Sequence, residues 1–323
     1  MTGAFSDKSF VEAIIAELEA GRSVGLASIM ATTGSMPRHE GARLAVRENG
    51  MAIGTVGGGS IELIAERRVR AAMAGEPVTR LEWLTRDRTG MACGGDALLG
   101  VRLLGPDELT VMRELDELLC NDGVAVFEER WESTLAPEVR LDEASAHHIG
   151  WDEDAMLYRE LVQAPMTCHI FGAGHVGSAL VPIAASTGFE VVVYDDRPDM
   201  ADIERLPEAT RVVSGPYERI AEEAGITPRD AVVVLTHGHV SDAAVLEQVL
   251  PKRPAYAGCI GSRRKAGVVR ASLVEAGVPK DQVEALHLPI GEDIGAVTPA
   301  EIAVSIAAQL IRCRSELTSG QRS

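Results

Sequence analysis

The sequence predicts an α/β protein with a C-terminal parallel-sheet domain and a smaller N-terminal α+β domain. Three observations predict it. From residue 166 onward, nearly all-apolar strands such as Ala231 to Leu235 alternate with helical segments, the pattern of a parallel sheet covered on both faces. In the first third, short strands are joined by glycine turns, with Asn49-Gly50 marking a tight hairpin. Finally, 323 residues with 46% apolar content suffice for two cores at the usual ~100–200 residues per domain.

Taken in order, Phe10, Ile14, Ile15 and Leu18 share one side of a helix over 10–20 that Gly21 closes, and an apolar strand follows over 24–32. Strands at 42–46 and 51–56 flank the Asn-Gly turn. Gly57-Gly58-Gly59-Ser60 opens a helix to about Met73, and strands at 81–84 and 98–104 bracket the loop Thr89 to Gly95. The second half reads strand 166–171, helix 174–187, strands 190–195 and 211–214, helix 216–224, strand 231–236, helix 242–250, strand 255–260 and helices 263–276 and 299–314. Thr298-Pro299-Ala300-Glu301 forms a capping box with proline in the first turn, so the start of the last helix is sharply defined.

Charge divides the chain further. With 48 acidic against 31 basic residues the net charge is -17, which argues against nucleic acid as a partner. Residues 107–165 alone hold 16 acidic residues, four arginines and no lysine, and read as an acidic connector. Within it 108–119 has helical spacing, whereas 135–153, with the pair His147-His148, has no sustained period and reads as loop or short irregular strands. The expected organisation is thus 1–105, a connector over 106–165, and 166–323. No run of 18 apolar residues and no basic-then-apolar start occurs, so neither a spanning helix nor a secretory signal is expected and the cytoplasm is the expected compartment. Five cysteines, odd in number and without a CxxC pair, do not make a disulfide framework or zinc knuckle.

Gly172-Ala173-Gly174-His175-Val176-Gly177 follows an apolar strand and opens a helix, and Asp195 ends the next strand 18 residues after Gly177. Together these make a dinucleotide fingerprint and a Rossmann-like domain: a tight turn, close backbone approach to pyrophosphate at a helix N-terminus, and an acid for ribose hydroxyls. Such a fold can also keep its glycines for packing alone, and Pro182 is expected to kink or shorten the helix. Gly57, Gly58, Gly59 and Ser60 form a second anion-site candidate, with Arg38 and Arg43 toward the same end of that domain as guanidinium donors. The alternatives are a plain strand-to-helix turn and two surface arginines.

Cys93, beside Gly94 and Gly95, is the one cysteine in a glycine-rich loop, where a thiolate is accessible to a soft metal or a sulfur donor. His237 and His239 fall just past the fourth strand of the second half, at the carboxyl edge where open α/β sheets place ligands. His237 is a candidate proton carrier, and a helix-capping turn with Asp242 is the plain alternative. Arg263, Arg264 and Lys265 follow the fifth strand at that edge. Three cations at a helix start oppose its dipole, which suggests an anionic ligand there, with a solvated helix start as the alternative.

These motifs, with Thr33 to Arg38, Gly41 to Arg43, Gly54 to Glu62, Met91 to Gly95, Phe171 to Gly177, Thr236 to His239, Ile260 to Lys265 and Pro289 to Ala296 in this order, resemble the XdhC/CoxI family of accessory proteins for molybdenum hydroxylases. The resemblance spans about 10–105 and 166–314; Glu292 stands where the family pattern has an apolar residue. It implies an accessory factor more than a catalyst, working as a homodimer. Such a factor binds molybdenum cofactor (molybdopterin or its dinucleotide form), holds it while a cysteine desulfurase places a sulfido ligand, and delivers it to an apo molybdenum hydroxylase such as xanthine dehydrogenase. Cys93 matches the family's candidate contact to molybdenum or its sulfur. Two readings from other classes stay open beside it. The glycine turn, Asp195 and His237 would serve an NAD(P)-dependent oxidoreductase, although no catalytic Lys or Tyr constellation accompanies them. The same domain without catalysis would be a nucleotide-sensing module.

Overall fold

The computed structural model describes residues 4–85, 95–121, 123–131, 138–143 and 149–321, and the chain divides into two compact units, Met1–Pro165 and Met166–Ser323.

In the first unit, α1 (Lys8–Glu19) precedes the long strand β1 (Val24–Thr33), and β2 (Arg43–Val46), β3 (Ala52–Gly54), α2 (Gly59–Met73), β4 (Leu81–Leu84), β5 (Asp96–Leu104) and α3 (Leu109–Cys120) follow. The five strands form an antiparallel sheet in the order β3-β2-β1-β5-β4. β1 is apolar on both faces because both are covered. Ala27 and Ile29 share a core with Ile61, Ala65 and Val69 of α2, while Val24 and Leu26 share one with Phe10 and Ile14 of α1 and Leu115 of α3.

The acidic stretch expected as a connector is instead built into this unit. β6 (Val124–Arg130), β7 (Glu138–Glu143), β8 (Gly150–Asp152) and β9 (Leu157–Gln163) make a second antiparallel sheet, ordered β7-β6-β9-β8. Phe127 and Val162 join the core of Phe5, Phe10, Leu26 and Leu104, and Trp131 and Tyr158 pack with Met30 and Leu98. Its acidity misleads because several of its carboxylates are not solvated. Glu128 is buried against Arg159 (2.7 Å), Glu129 against Arg102 of β5 (3.0 Å), and Glu160 meets Arg43 of β2. The last pair is a fork: the two Arg43 terminal nitrogens lie 3.1 and 2.8 Å from the two Glu160 oxygens, and one also donates to the Gly41 carbonyl (2.9 Å). The guanidinium lies over the Phe5 ring at 3.8 Å, and the Tyr158 hydroxyl donates to Glu160 at 2.9 Å. His147 and His148 lie outside the described residues.

The second unit is a parallel sheet, ordered β12-β11-β10-β13-β14. Its elements are β10 (Thr167–Phe171), α4 (His175–Ser186), β11 (Glu190–Asp195), β12 (Arg211–Ser214), α5 (Tyr217–Glu223), β13 (Ala231–Val234), α6 (His239–Val249), β14 (Tyr256–Cys259), α7 (Arg263–Glu275), α8 (Lys280–Ala285) and α9 (Pro299–Gln321). α4 and α9 cover one face through Leu180, Val181, Ile306 and Leu310, and Tyr217, Val245, Leu246 and Val283 of α5, α6 and α8 cover the other. Strand order reverses between β10 and β13, which opens a crevice at their carboxyl ends. α4 runs on through Pro182 to Ser186, the expected shortening being absent. The capping box forms as the sequence predicts, with the Glu301 N–H donating to Thr298 Oγ1 (3.3 Å) and the Thr298 N–H to Glu301 (2.8 Å). Glu292 is accounted for by Arg312 of α9, which grips it through two nitrogens at 2.7 and 3.0 Å.

Breaking one partner of a buried ion pair costs far more than replacing both by apolar groups. Glu160→Ala is therefore expected to destabilise the first unit by about 3–5 kcal/mol, and the double variant Arg43→Met with Glu160→Leu by much less. Denaturant unfolding of both variants checks this; equal losses would mean that the pair itself, rather than the stranded charge, carries the stability.

Candidate functional site

The carboxyl edge of the parallel sheet gathers most of the motifs of the second unit. Phe171 ends β10, and Gly172 turns the chain at φ +116 so tightly that a Cβ there would lie 2.4 Å from the Leu235 carbonyl. A Cβ on Gly177 would come within 1.9 Å of the Gly172 carbonyl, so this glycine lets α4 sit directly on the turn. A Cβ on Gly174 would meet nothing within 4 Å. The three glycines thus divide into turn, approach and packing, and the approach position faces open space at the N-terminus of a twelve-residue helix, as a phosphate site requires. His175, the first residue of that helix, is exposed.

Asp195 is placed differently from the expected ribose acceptor. It is fully buried, and both its oxygens are occupied: Oδ2 accepts from the Ala173 N–H (2.7 Å) and an Arg197 terminal nitrogen (2.8 Å), Oδ1 from the Arg197 N–H (3.0 Å) and Nε (2.8 Å). Burial alone would raise its pKa, but these hydrogen bonds hold it below the usual carboxylate range. Asp195 therefore clamps the glycine turn. The neighbouring Asp196, which no sequence motif singles out, is the partly exposed acid, with Oδ1 3.8 Å from His237 Nδ1. His237 is about half exposed, while His239 begins α6 and is exposed too. Thr236 donates to the buried Asp242 at 2.5 Å, which fixes the turn that carries both histidines. Among the described residues no cluster of three or more His, Cys, Asp or Glu is arranged to hold a metal. Gly261 leads from β14 toward the start of α7, where Arg264 is exposed; the side chains of Arg263 and Lys265 lie outside the described residues.

In the first unit three loops meet at one edge of the sheet. A Cβ on Gly57 would touch Pro37 and Arg38 at 3.5–3.7 Å, and one on Gly95 would collide with the Thr33 and Ser35 carbonyls at 2.6 Å. The structure thus brings together exposed Arg38, Gly57 to Ser60 and the end of the loop that closes at Gly95; Cys93 and Gly94 lie outside the described residues. Arg43 does not join them, because it is buried in its fork with Glu160, and that expectation is corrected. The glycine turn also holds an anion of its own. Glu62 accepts from Thr55 Oγ1 (2.5 Å) and the N–H groups of Gly58 (2.9 Å) and Val56 (3.2 Å). Burial would raise its pKa, yet these bonds lower it. Gly58 and Gly59, at φ +74 and +60, still face open space on the other side, where a Cβ would meet nothing within 4 Å. The signal for Glu62 was present in the sequence, an acid in the first turn after three glycines.

With this geometry in place, the comparisons with known proteins agree. Residues 168–310 match the XdhC Rossmann domain and residues 17–83 match the XdhC and CoxI family. The chain belongs to the XdhC and CoxI family. It is 26% identical over 300 residues to the Escherichia coli K12 protein YqeB, covering 91% of this chain and 44% of YqeB, so it spans less than half of that relative's length. It is 24% identical to a probable xanthine dehydrogenase subunit of Bacillus subtilis, covering 93% of this chain and 96% of that one. It is 23% identical to the molybdenum cofactor insertion chaperone PaoD of Escherichia coli, covering 92% and 85%. A crystal structure described as a xanthine dehydrogenase from Bacillus halodurans superposes with a TM-score of 0.78 at 23% identity, covering 95% of this chain and 96% of that one, and shows that the fold is shared.

Two outcomes follow from the glycine turns. Gly177→Ala is expected to cost about 3 kcal/mol, because its neighbour is backbone, and Gly174→Ala less than about 1 kcal/mol, both read by thermal unfolding. For Glu62 the folded pKa lies below the unfolded one, so its contribution is present above the ordinary carboxylate range and lost as pH falls through the folded value. Glu62→Gln is expected to lose about 1 kcal/mol at neutral pH, a deficit against the parent that shrinks on acidification; a pH-independent deficit would contradict the role assigned to the carboxylate.

Proposed function

We propose that this protein is a maturation factor that binds molybdenum cofactor, keeps it while a cysteine desulfurase supplies sulfur, and hands it to an apo molybdenum hydroxylase, with a xanthine dehydrogenase as the leading client. The observation that carries the reading is the likeness to the insertion chaperone PaoD along 92% of the chain, joined to two glycine turns that leave room for an oxyanion. The cofactor is cargo, and the chain's part is to hold it.

The residues suit such cargo. At the first unit's sheet edge, Gly58 and Gly59 leave a helix start uncovered and Arg38 stands beside Gly57, an arrangement fitted to a phosphate. The loop that carries Cys93 ends at Gly95, against the Thr33 and Ser35 carbonyls of the same edge, so a thiolate from that loop would complete a site with an anion cradle and a soft ligand. In the second unit, Gly174 leaves the space that a phosphate or a nucleotide extension of the cofactor needs.

Purification from cells that make the cofactor, followed by assay of bound pterin, tests the reading. The parent chain is expected to carry pterin and Cys93→Ala about tenfold less, with Arg38→Ala in between. Equal absence of pterin from all three would overturn it.

A further inference from the structure

The two helical layers that cover the parallel sheet present opposite surfaces. On the side of α5, α6 and α8, Glu218, Arg219, Glu223, Glu247, Asp281 and Glu284 stand exposed, as a solvated face requires. On the other side α4 contains no Asp, Glu, Lys or Arg over its twelve residues and exposes Pro182. α9 continues that uncharged face. Its inward side is spent on the core through Ile306 and Leu310, and on Tyr256, whose hydroxyl donates to Gln309 at 2.5 Å. Its outward side consists of Ala300, Val304, Ala308, Ile311 and Ser315, all exposed, Val304 at 50% and Ile311 at 39%. A recurrence of three or four residues makes these one stripe along about 24 Å of helix. Only Glu301, Arg312 and Arg314 are charged within 300–315, and none lies on the stripe. Arg314 turns in over the Phe189 ring at 4.3 Å, whereas Glu301 and Arg312, three helical turns apart, lie along the same flank.

We propose that the outward stripe of α9 packs antiparallel against α9 of a second copy of this chain, about a two-fold axis that crosses the helices between residues 306 and 307. Such an axis reverses chain direction and brings the same flank of both helices together. Glu301 of each copy then stands level with the partner's Arg312, so one flank carries two opposite-charge pairs. The same register interleaves the stripe. Val304 falls between the partner's Ala308 and the partner's Ile311, and the two copies of Ala308 lie nearest the axis, where a small side chain lets the helices approach. Arg312 keeps its grip on Glu292, and exposed ion pairs add little energy, so the charges set the register while Val304 and Ile311 supply the burial. α9 begins near the carboxyl ends of the strands, because Ile290, which leads toward it, donates to the Cys259 carbonyl at the end of β14. Antiparallel pairing therefore points the two crevices in opposite directions and leaves both open.

Sedimentation of the full chain, joined to disulfide trapping, tests the arrangement. The parent is expected to be a dimer at about 10 μM, and Val304→Glu, which sets two like charges across the axis, to weaken association about a hundredfold. Far-ultraviolet circular dichroism of the variant monomer checks that it is folded. In a background with Cys93 and Cys120 replaced by serine, mild oxidation is expected to link Ala308→Cys to its own copy. Ser315→Cys is expected to stay unlinked, its two copies being about 25 Å apart along the helices. The trapping result stands whether or not Val304→Glu folds. A Val304→Glu variant that dimerises like the parent, or Ser315→Cys linking as readily as Ala308→Cys, overturns the arrangement. A parent that stays monomeric to about 100 μM overturns it too, and gives the stripe to a partner of another sequence.

Discussion

The first unit depends on buried arginine–glutamate pairs that join its two sheets. Arg43 of β2 and Arg102 of β5 point away from the helix α2 side and find Glu160 and Glu129 in the second antiparallel sheet. Neither arginine has access to water, so each needs a carboxylate at a fixed place. Burial disfavours charge on Arg43, but the Glu160 carboxylate, with Tyr158 and Glu129 near it, keeps the guanidinium protonated. The pairing sets where β2 begins, and the loop from Gly34 to Gly41 that leads into β2 carries Arg38 to Gly57. A charge pair in the interior thus positions a cation on the surface.

Both glycine turns are closed on one side by a carboxylate of their own unit. Glu62 gathers the N–H groups of Val56 and Gly58, and Asp195 takes that of Ala173. Each carboxylate is held below its ordinary pKa by the bonds it receives. Flexible glycine segments lose conformational freedom when they bind, and an internal anion that fixes the turn beforehand reduces that loss. It also adds negative charge next to the intended oxyanion, which favours ligands bound through several contacts over a lone phosphate.

Much of the architecture was readable from local pattern. The apolar strands of the second unit, the capping box at Thr298 and the glycine spacing of the Rossmann turn are signals within a few residues, and each appears where the sequence puts it. What could not be read is non-local. The acidity of 107–165 suggests solvent because the arginines that neutralise Glu129 and Glu160 lie on other strands outside the segment, Arg43 far upstream, and Arg43 reads as available for ligands for the same reason. Asp195 fits the spacing of a ribose acceptor; that its oxygens are consumed by Ala173 and Arg197 follows from a side-chain direction that spacing does not contain. Asp196 carries no motif, and only the folded chain sets it 3.8 Å from His237 at the crevice.

The Arg43–Glu160 contact also joins positions 117 residues apart. Synthesis from the N-terminus therefore delivers β2 long before β9, the strand that neutralises its arginine. Arg102 finds Glu129 once β6 is made, but until β9 has left the ribosome Arg43 must remain hydrated, and the part of the sheet face it occupies cannot dry. Co-translational folding of this half must wait for its last strand, so the nascent chain spends that interval with an apolar face open to chaperones or to misassociation.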